Sequence, residues 1–347
     1  MRPRTALPKC LVGAYCAALL VVPVTGTAQA AYDSPTGRVE VLGLRRWTLA
    51  MLRDSIRRYV PGQELHDAAC MVTLRDSLHF VDASVTSFGS AAPGAPPHSF
   101  LSIKLVEPEQ ATSVQWDVRR RDEFSSLLPA YAPLILPVTD SAGDVWSGRI
   151  LQWLQYSDSG RRARAMARAK APERADAERV FGFLRERRTE ADRVRAMRVL
   201  ARDGFWANRM AAVIVLSGFA AHDSTWWAVV GALRDPNKGV RQAAGIALGT
   251  LPSREVDWRP AAADLRLLVG GTNLSAMTGV FDALSRASVT PALAPALLRG
   301  NGDWLLDHLG SEAPGAGETA HRLLVRLNTG RDLGRTRSAW DRWVRTL

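Results

Sequence analysis

The feature that most constrains this chain is an internal repeat. Residues 209–219 align without a gap on residues 241–251, an offset of 32. Arg209, Ala211, Ala212, Ile214 and Leu216 recur as Arg241, Ala243, Ala244, Ile246 and Leu248. The apolar stretch before each block also corresponds, 194–201 lying one period before 226–233. A third, looser unit spans 261–269 and 274–284, and a shorter fourth spans 292–298 and 304–309. Two helical stretches per unit at such a period predict helix pairs that bury their apolar faces only by stacking on their neighbours.

The turn inside the second unit has a physical logic. Asp235-Pro236 stops one helix, and the small residues Ala243, Ala244 and Ala247 let the next helix pack closely. The run Leu233-Arg234-Asp235-Pro236, then Val240-Arg241, Ala243-Ala244 and Ala247-Leu248-Gly249, is similar to the HEAT-repeat pattern. The resemblance covers about residues 173–298, and the tail from Leu327 to Trp343 resembles the ending of bacterial HEAT-repeat proteins. It implies an armadillo-like α-solenoid over residues 172–347. It also implies that the turn aspartate and helix arginine bridge adjacent repeats, which makes Asp235, Pro236, Arg209 and Arg241 scaffold residues. Departures are the missing Asp-Pro at Arg202-Asp203-Gly204 and the Gly270-Gly271 turn of the third unit. Trp340 and Trp343 suit a terminal cap that hides the last apolar face.

Residues 38–108 read as a separate small α/β unit. Residues 38–44 alternate as a strand, Thr48 caps a helix through Tyr59, and Pro61-Gly62 breaks it. A second helix is expected from Glu64 to Leu78, with strands at 81–85 and 101–106. The order β-α-α-β-β, Gly43 after the first strand, the Pro-Gly break, the Leu78-His79-Phe80 step and the Val106-Glu107-Pro108 ending together resemble the POTRA domain. That likeness implies periplasmic partner docking by strand addition; a generic α/β sandwich is the other reading. Residues 109–171 are expected to form a connector and N-terminal cap. Within it, 114–118 could form another strand, Arg119 begins a charged helix, Pro129, Pro133 and Pro137 enforce an extended crossing, and 145–156 reads as helical.

The first thirty residues carry an export signature. Arg2, Arg4 and Lys9 precede an apolar run from Leu11 to Val24, and Ala28-Gln29-Ala30 supplies small residues for cleavage. The apolar run is shorter than the ~20 residues a membrane-spanning helix needs. Removal of residues 1–30 leaves Cys70 as the one cysteine, so neither an internal disulfide nor a thiolate zinc site is expected. The formal charge of +11 is almost wholly arginine, since Lys9, Lys104, Lys170 and Lys238 are the only lysines. This balance favours acidic over basic partners.

No nucleotide-binding loop, His-Glu-x-x-His or Gly-x-Ser-x-Gly sequence occurs. His66 with Cys70, or Ser217 with His222 and Asp223, supply nucleophile-and-base residue types. A buried structural cysteine and an ordinary interhelical turn explain them as well. His79, His98, His222, His308 and His321 lack metal-ligand spacing. Adjacent Trp226 and Trp227 point about 100° apart on a helix, so both can pack, or one can meet a partner. Arg161, Arg162, Arg164 and Arg168, with Arg185, Arg187 and Arg188, form either a solvated face or a surface for phosphates or anionic lipid.

The sequence thus predicts a mainly α fold, an α-solenoid of HEAT-like hairpins preceded by a small α/β domain. The expected role is that of an exported, non-enzymatic scaffold binding protein partners in the periplasm or at the outer membrane, without cofactor or metal. Nucleic-acid or anionic-lipid binding through the arginine-rich face is the alternative.

Overall fold

The computed structural model describes residues 29–67, 70–90, 98–119, 121, 123, 159–170, 174–175, 178, 182 and 186–347. Residues 1–28 of the expected 1–30 leader, the three prolines and the helix expected at 145–156 lie outside the described residues, as does Arg185.

The N-terminal part is a four-stranded mixed sheet in the order β1-β2-β4-β3. Strand β1 (Gln29–Ser34) forms a hairpin with β2 (Gly37–Leu42), helix α1 (Leu49–Tyr59) follows, and β3 (Asp82–Ser90) pairs with β4 (His98–Val106). The central pair β2 and β4 is parallel, matching Val39 to Leu101 and Val41 to Ile103. At the hairpin Gly37 has φ +137, and a Cβ there would overlap the Ser99 carbonyl. Only glycine fits that turn.

Sequence expectation and structure differ in three places. Strand β1 has no counterpart in the expected β-α-α-β-β order. The second helix contracts to a turn at Cys70–Val72 followed by a π-turn at Thr73–Ser77. The extra residue of a π-turn shifts the buried face, so Leu74 is buried while Val72 is 54% exposed. Residues 114–119 join no strand. Helix α1 starts as read, with Thr48 Oγ1 accepting Met51 N at 3.2 Å and Leu52 and Ile56 buried, although Tyr59 is exposed.

The rest is helical. Helix α2 (Ser159–Arg168) precedes α3 (Glu190–Arg202), α4 (Trp206–Ser217), α5 (Asp223–Ala232), α6 (Lys238–Thr250), α7 (Ala262–Val269) and α8 (Met277–Arg286). Then come α9 (Ala294–Leu298), α10 (Asp303–Leu309), α11 (Ala316–Leu327) and α12 (Arg337–Val344). Contacts sort them into two rows: α4, α6, α8 and α11 pack in succession, as do α3, α5, α7 and α9. Helices α3 and α4 carry the first copy of the repeat, α5 and α6 the second. Among the described residues no helix is long and apolar enough to cross a membrane.

The sheet is covered on both sides. Val39, Val41, Ile103 and Leu105 pack with Leu52 and Ile56 of α1 in one apolar cluster. The alternate residues face the helices: Leu42 and Val106 join the helical core, while Glu40, Ser102 and Lys104 are buried with them. Strand periodicity reads the second face as solvated. Instead Glu40 accepts hydrogen bonds from Gln29, Ser102, Ser311 and the Glu312 backbone, and Lys104 donates to Thr278 Oγ1 at 3.2 Å. Gly43, at φ +91, allows the close approach, since a Cβ there would overlap both the Leu105 carbonyl and the Trp304 ring.

Candidate interaction site

The site grows out of the hairpin turns. In the α3–α4 turn Asp203 Oδ1 accepts Phe205 N at 2.8 Å, and in the α5–α6 turn Asp235 Oδ1 accepts Asn237 N at 2.8 Å. Such a side-chain turn redirects the chain without help from proline. The next helix then reaches back. Arg209 donates to the carbonyls of Asp203 and Gly204 at 3.0 Å each, and Arg241 donates to those of Asp235 and Pro236 at 2.8 Å each. These carbonyls lie just beyond helix ends, where intrahelical donors are lacking. The turn at Arg202-Asp203-Gly204, which looked like a departure, is the same device. The recurrence of Arg202-Asp203 at Arg234-Asp235 was the available signal.

The outward arms of the two arginines differ. Arg209 donates through Nε and Nη2 to both oxygens of Asp235, at 2.8 Å each, clamping one hairpin to the next. Arg241 lies over the Trp116 ring, 4.2 Å from its centroid. Trp116 belongs to a strap that crosses the turns in the order opposite to the chain. Ser113 and Gln115 hydrogen-bond Thr272 at the α7–α8 turn, Asp117 N donates to the Arg234 carbonyl at 2.7 Å, and the Glu123 carbonyl accepts Gly204 N at 2.8 Å. The strap residues 114–119 form no strand, and the Gln115 and Asp117 amides donate to helix turns instead.

Between the strap and helices α3 and α5 lies a cleft of about 220 Å³. Met197, Leu200, Ala228 and Ala232 supply its apolar lining, Trp227 a wall, and Asp117, Arg119 and Arg121 part of a charged rim. Burial pushes the Asp117 carboxyl up, but hydrogen bonds from Arg119 and the charges of Arg119 and Arg121 outweigh it and hold it low. Arg121 donates to Asp117 at 2.7 Å and lies 3.6 Å from Asp235, while burial lowers its guanidinium pKa. Its buried Nε has no hydrogen-bond partner among the described residues. The rim is therefore largely neutralised internally. The cleft is smaller than the ~300–1,000 Å³ of ordinary small-molecule sites, and it suits one large apolar side chain.

The paired tryptophans separate. Trp226 is fully buried, donates to the Ala220 carbonyl at 2.9 Å and meets Trp258 edge-on at 5.8 Å. Trp227 donates to the Asp257 carbonyl at 2.7 Å and turns its ring to the cleft. Arg164 and Arg168 are exposed on α2, away from these turns in sequence, and the side chains of Arg161 and Arg162 lie outside the description. Trp340 is buried and stacks edge-on against partly buried Trp343 at 5.6 Å.

The sequence's nucleophile candidates are not assembled. Burial, reinforced by Asp67, pushes the Cys70 thiol up to about 12, and its Sγ donates to the Leu65 carbonyl. Ser217 donates to the Ile214 carbonyl at 2.7 Å, and Asp223 pairs with Arg254 at 2.6 Å. Among the described residues no group of three His, Cys, Asp or Glu is placed to hold a metal. His308 is fully buried beneath the sheet, where burial and then the Lys104 charge push it down to about 3. No protein-family model matches the chain, and no curated protein matches its sequence.

Proposed function

We propose that this chain is an exported, non-enzymatic scaffold that binds a protein partner in the cell envelope. Its helices form a HEAT-like solenoid, and its sheet is a POTRA-like layer with an added β1 hairpin and a shortened second helix. The two helix rows and the recurring Asp–Arg turn support the solenoid reading. The cleft beside Trp227 carries the functional one. It is side-chain-sized and lined by apolar residues, and a partner's anchor residue buried there would be ringed by polar groups, the arrangement of an interface hot spot. Its rim arginines are committed to Asp117, which makes this surface a poorer match for phosphate chains.

The test is retention of envelope proteins on the immobilised chain. A partner held by the wild type should be held at least about tenfold less by Trp227→Ala, the loss of a hot spot worth more than ~1.4 kcal/mol. Trp343→Ala, remote in sequence, should retain it. Equal retention by all three chains, or nucleic acid as the retained species, would reject the reading.

A further inference from the structure

We propose that the anchor side chain taken by the Trp227 cleft is an aromatic one that carries its own hydrogen-bond donor, tryptophan or tyrosine. This rests on the interface reading above and names the chemistry of the partner. Three carboxylates line the cleft, and two of them are spent. Both oxygens of Asp117 accept from Arg119, and both oxygens of Asp235 accept from Arg209. Asp264, on α7, differs. Its Oδ1 accepts from Arg234, while its Oδ2 has no hydrogen-bond partner among the described residues. Gly231 of α5 leaves that oxygen open, since a Cβ there would sit 3.4 Å from Asp264 Oδ2. Gly231 lies four residues beyond Trp227, one turn along the same face of α5. Trp227 offers only its ring, because its Nε1 is used by the Asp257 carbonyl. An open acceptor and an aromatic wall thus share one cleft.

The surroundings choose among anchors. A leucine or phenylalanine would fill the apolar lining but take water from Oδ2 without replacing its hydrogen bond. A site left with an unpaired acceptor rejects such a ligand. A lysine or arginine would satisfy Oδ2, but its charge would lie among the guanidiniums of Arg119, Arg121 and Arg234. Like charges brought together in a partly dry site oppose binding. An indole N–H or a phenol O–H supplies the donor without a charge, and its ring can pack on Trp227 offset or edge-on, as aromatic pairs prefer. Met197, Leu200 and Ala228 then meet the rest of the ring.

The experiment is an NMR titration of the full chain with capped Gly-X-Gly tripeptides, X being tryptophan, tyrosine, phenylalanine or arginine. The tryptophan or tyrosine peptide should bind about tenfold more tightly than the phenylalanine one, the worth of a hydrogen bond to a charged group. Gly231→Ala, whose methyl would cover Oδ2 while favouring the helix, should bring that ratio to about 1. A cleft merely made smaller would weaken every peptide and keep the ratio. Asp264→Ala should level the ratio too, with Arg234 still held by the Gln115 carbonyl. A phenylalanine or arginine peptide that binds as tightly as the other two, or a ratio unchanged in both variants, overturns this inference. If Trp227→Ala still weakens every peptide, the cleft reading stands without it. Affinities, or an absence of binding, that agree between wild type and Trp227→Ala for all four peptides overturn the cleft reading as well.

Discussion

Arg209 and Arg241 are the same residue at the same place in two copies of one repeat, and they end differently. Each pins two carbonyls of its own turn with matching hydrogen bonds. Beyond that, Arg209 grips the Asp235 carboxylate of the following hairpin, while Arg241 lies over the Trp116 ring of the strap. One period after Asp235 the chain has Leu267, so the second arginine has no equivalent carboxylate to meet. A repeat fixes its internal clamp. What it does at its outer face depends on the next element to arrive.

The largest expected effect sharpens this contrast. Arg209 and Asp235 are both buried, so Asp235→Ala strands an uncompensated guanidinium and should cost about 3–5 kcal/mol by denaturant unfolding. Adding Arg209→Met to that variant should cost little further, because the two side chains act as one bidentate unit. Arg241→Met should cost clearly less than Asp235→Ala, since Arg241 forms no salt bridge among the described residues and Asp235 keeps its Arg209 partner in that variant. Equal losses would erase the distinction between the two copies.

A third buried group has no ion partner at all and extends the comparison. His308 Nδ1 contacts the Trp304 carbonyl, its Nε2 has no hydrogen-bond partner among the described residues, and Lys104 supplies a like charge. Its folded pKa is held near 3, below the unfolded value of 6.5. Between these the unfolded chain binds the extra proton, so stability falls as pH drops from 6.5 towards 3. The slope from this residue should approach about 1.4 kcal/mol per pH unit, and it vanishes above 6.5. Unfolding titrations of His308→Phe should show a shallower acid slope by that amount. Identical slopes would mean that the ring is protonated in the folded state.

The sequence was most legible where pattern and packing agree. The 32-residue offset marked α3 to α6, and Thr48 marked the start of α1. It was least legible where a long-range partner decided the outcome. Glu40, Ser102 and Lys104 alternate with apolar residues as a solvated strand face would, and only the helices packed against them reveal that they are buried. Trp227 could be placed on a helix, but its cleft is completed by a strap more than a hundred residues earlier. Asp203 is visible in the repeat as the counterpart of Asp235, and the turn needs only that aspartate, not the proline that follows it in the second copy. Nor does local pattern reveal the partners of Gln29, since Glu40 and Gly310 are remote from it in sequence.

The smallest expected effect tests whether the strap belongs energetically to the stack. Trp116→Ala removes the ring beneath the Arg241 guanidinium, and a half-buried cation–π contact is worth about 1 kcal/mol. Arg241 keeps its turn carbonyls in that variant, so the loss isolates the outer arm. A double-mutant cycle of Trp116→Ala with Arg241→Met, followed by denaturant unfolding, should give a coupling of about 1 kcal/mol. Zero coupling would show that Arg241 is held by its own turn alone. The difference between the two copies would then lie in Asp235 rather than in the strap. A coupling matching the loss from Asp235→Ala would show instead that an aromatic ring replaces the carboxylate in full, and that the two copies are equivalent after all.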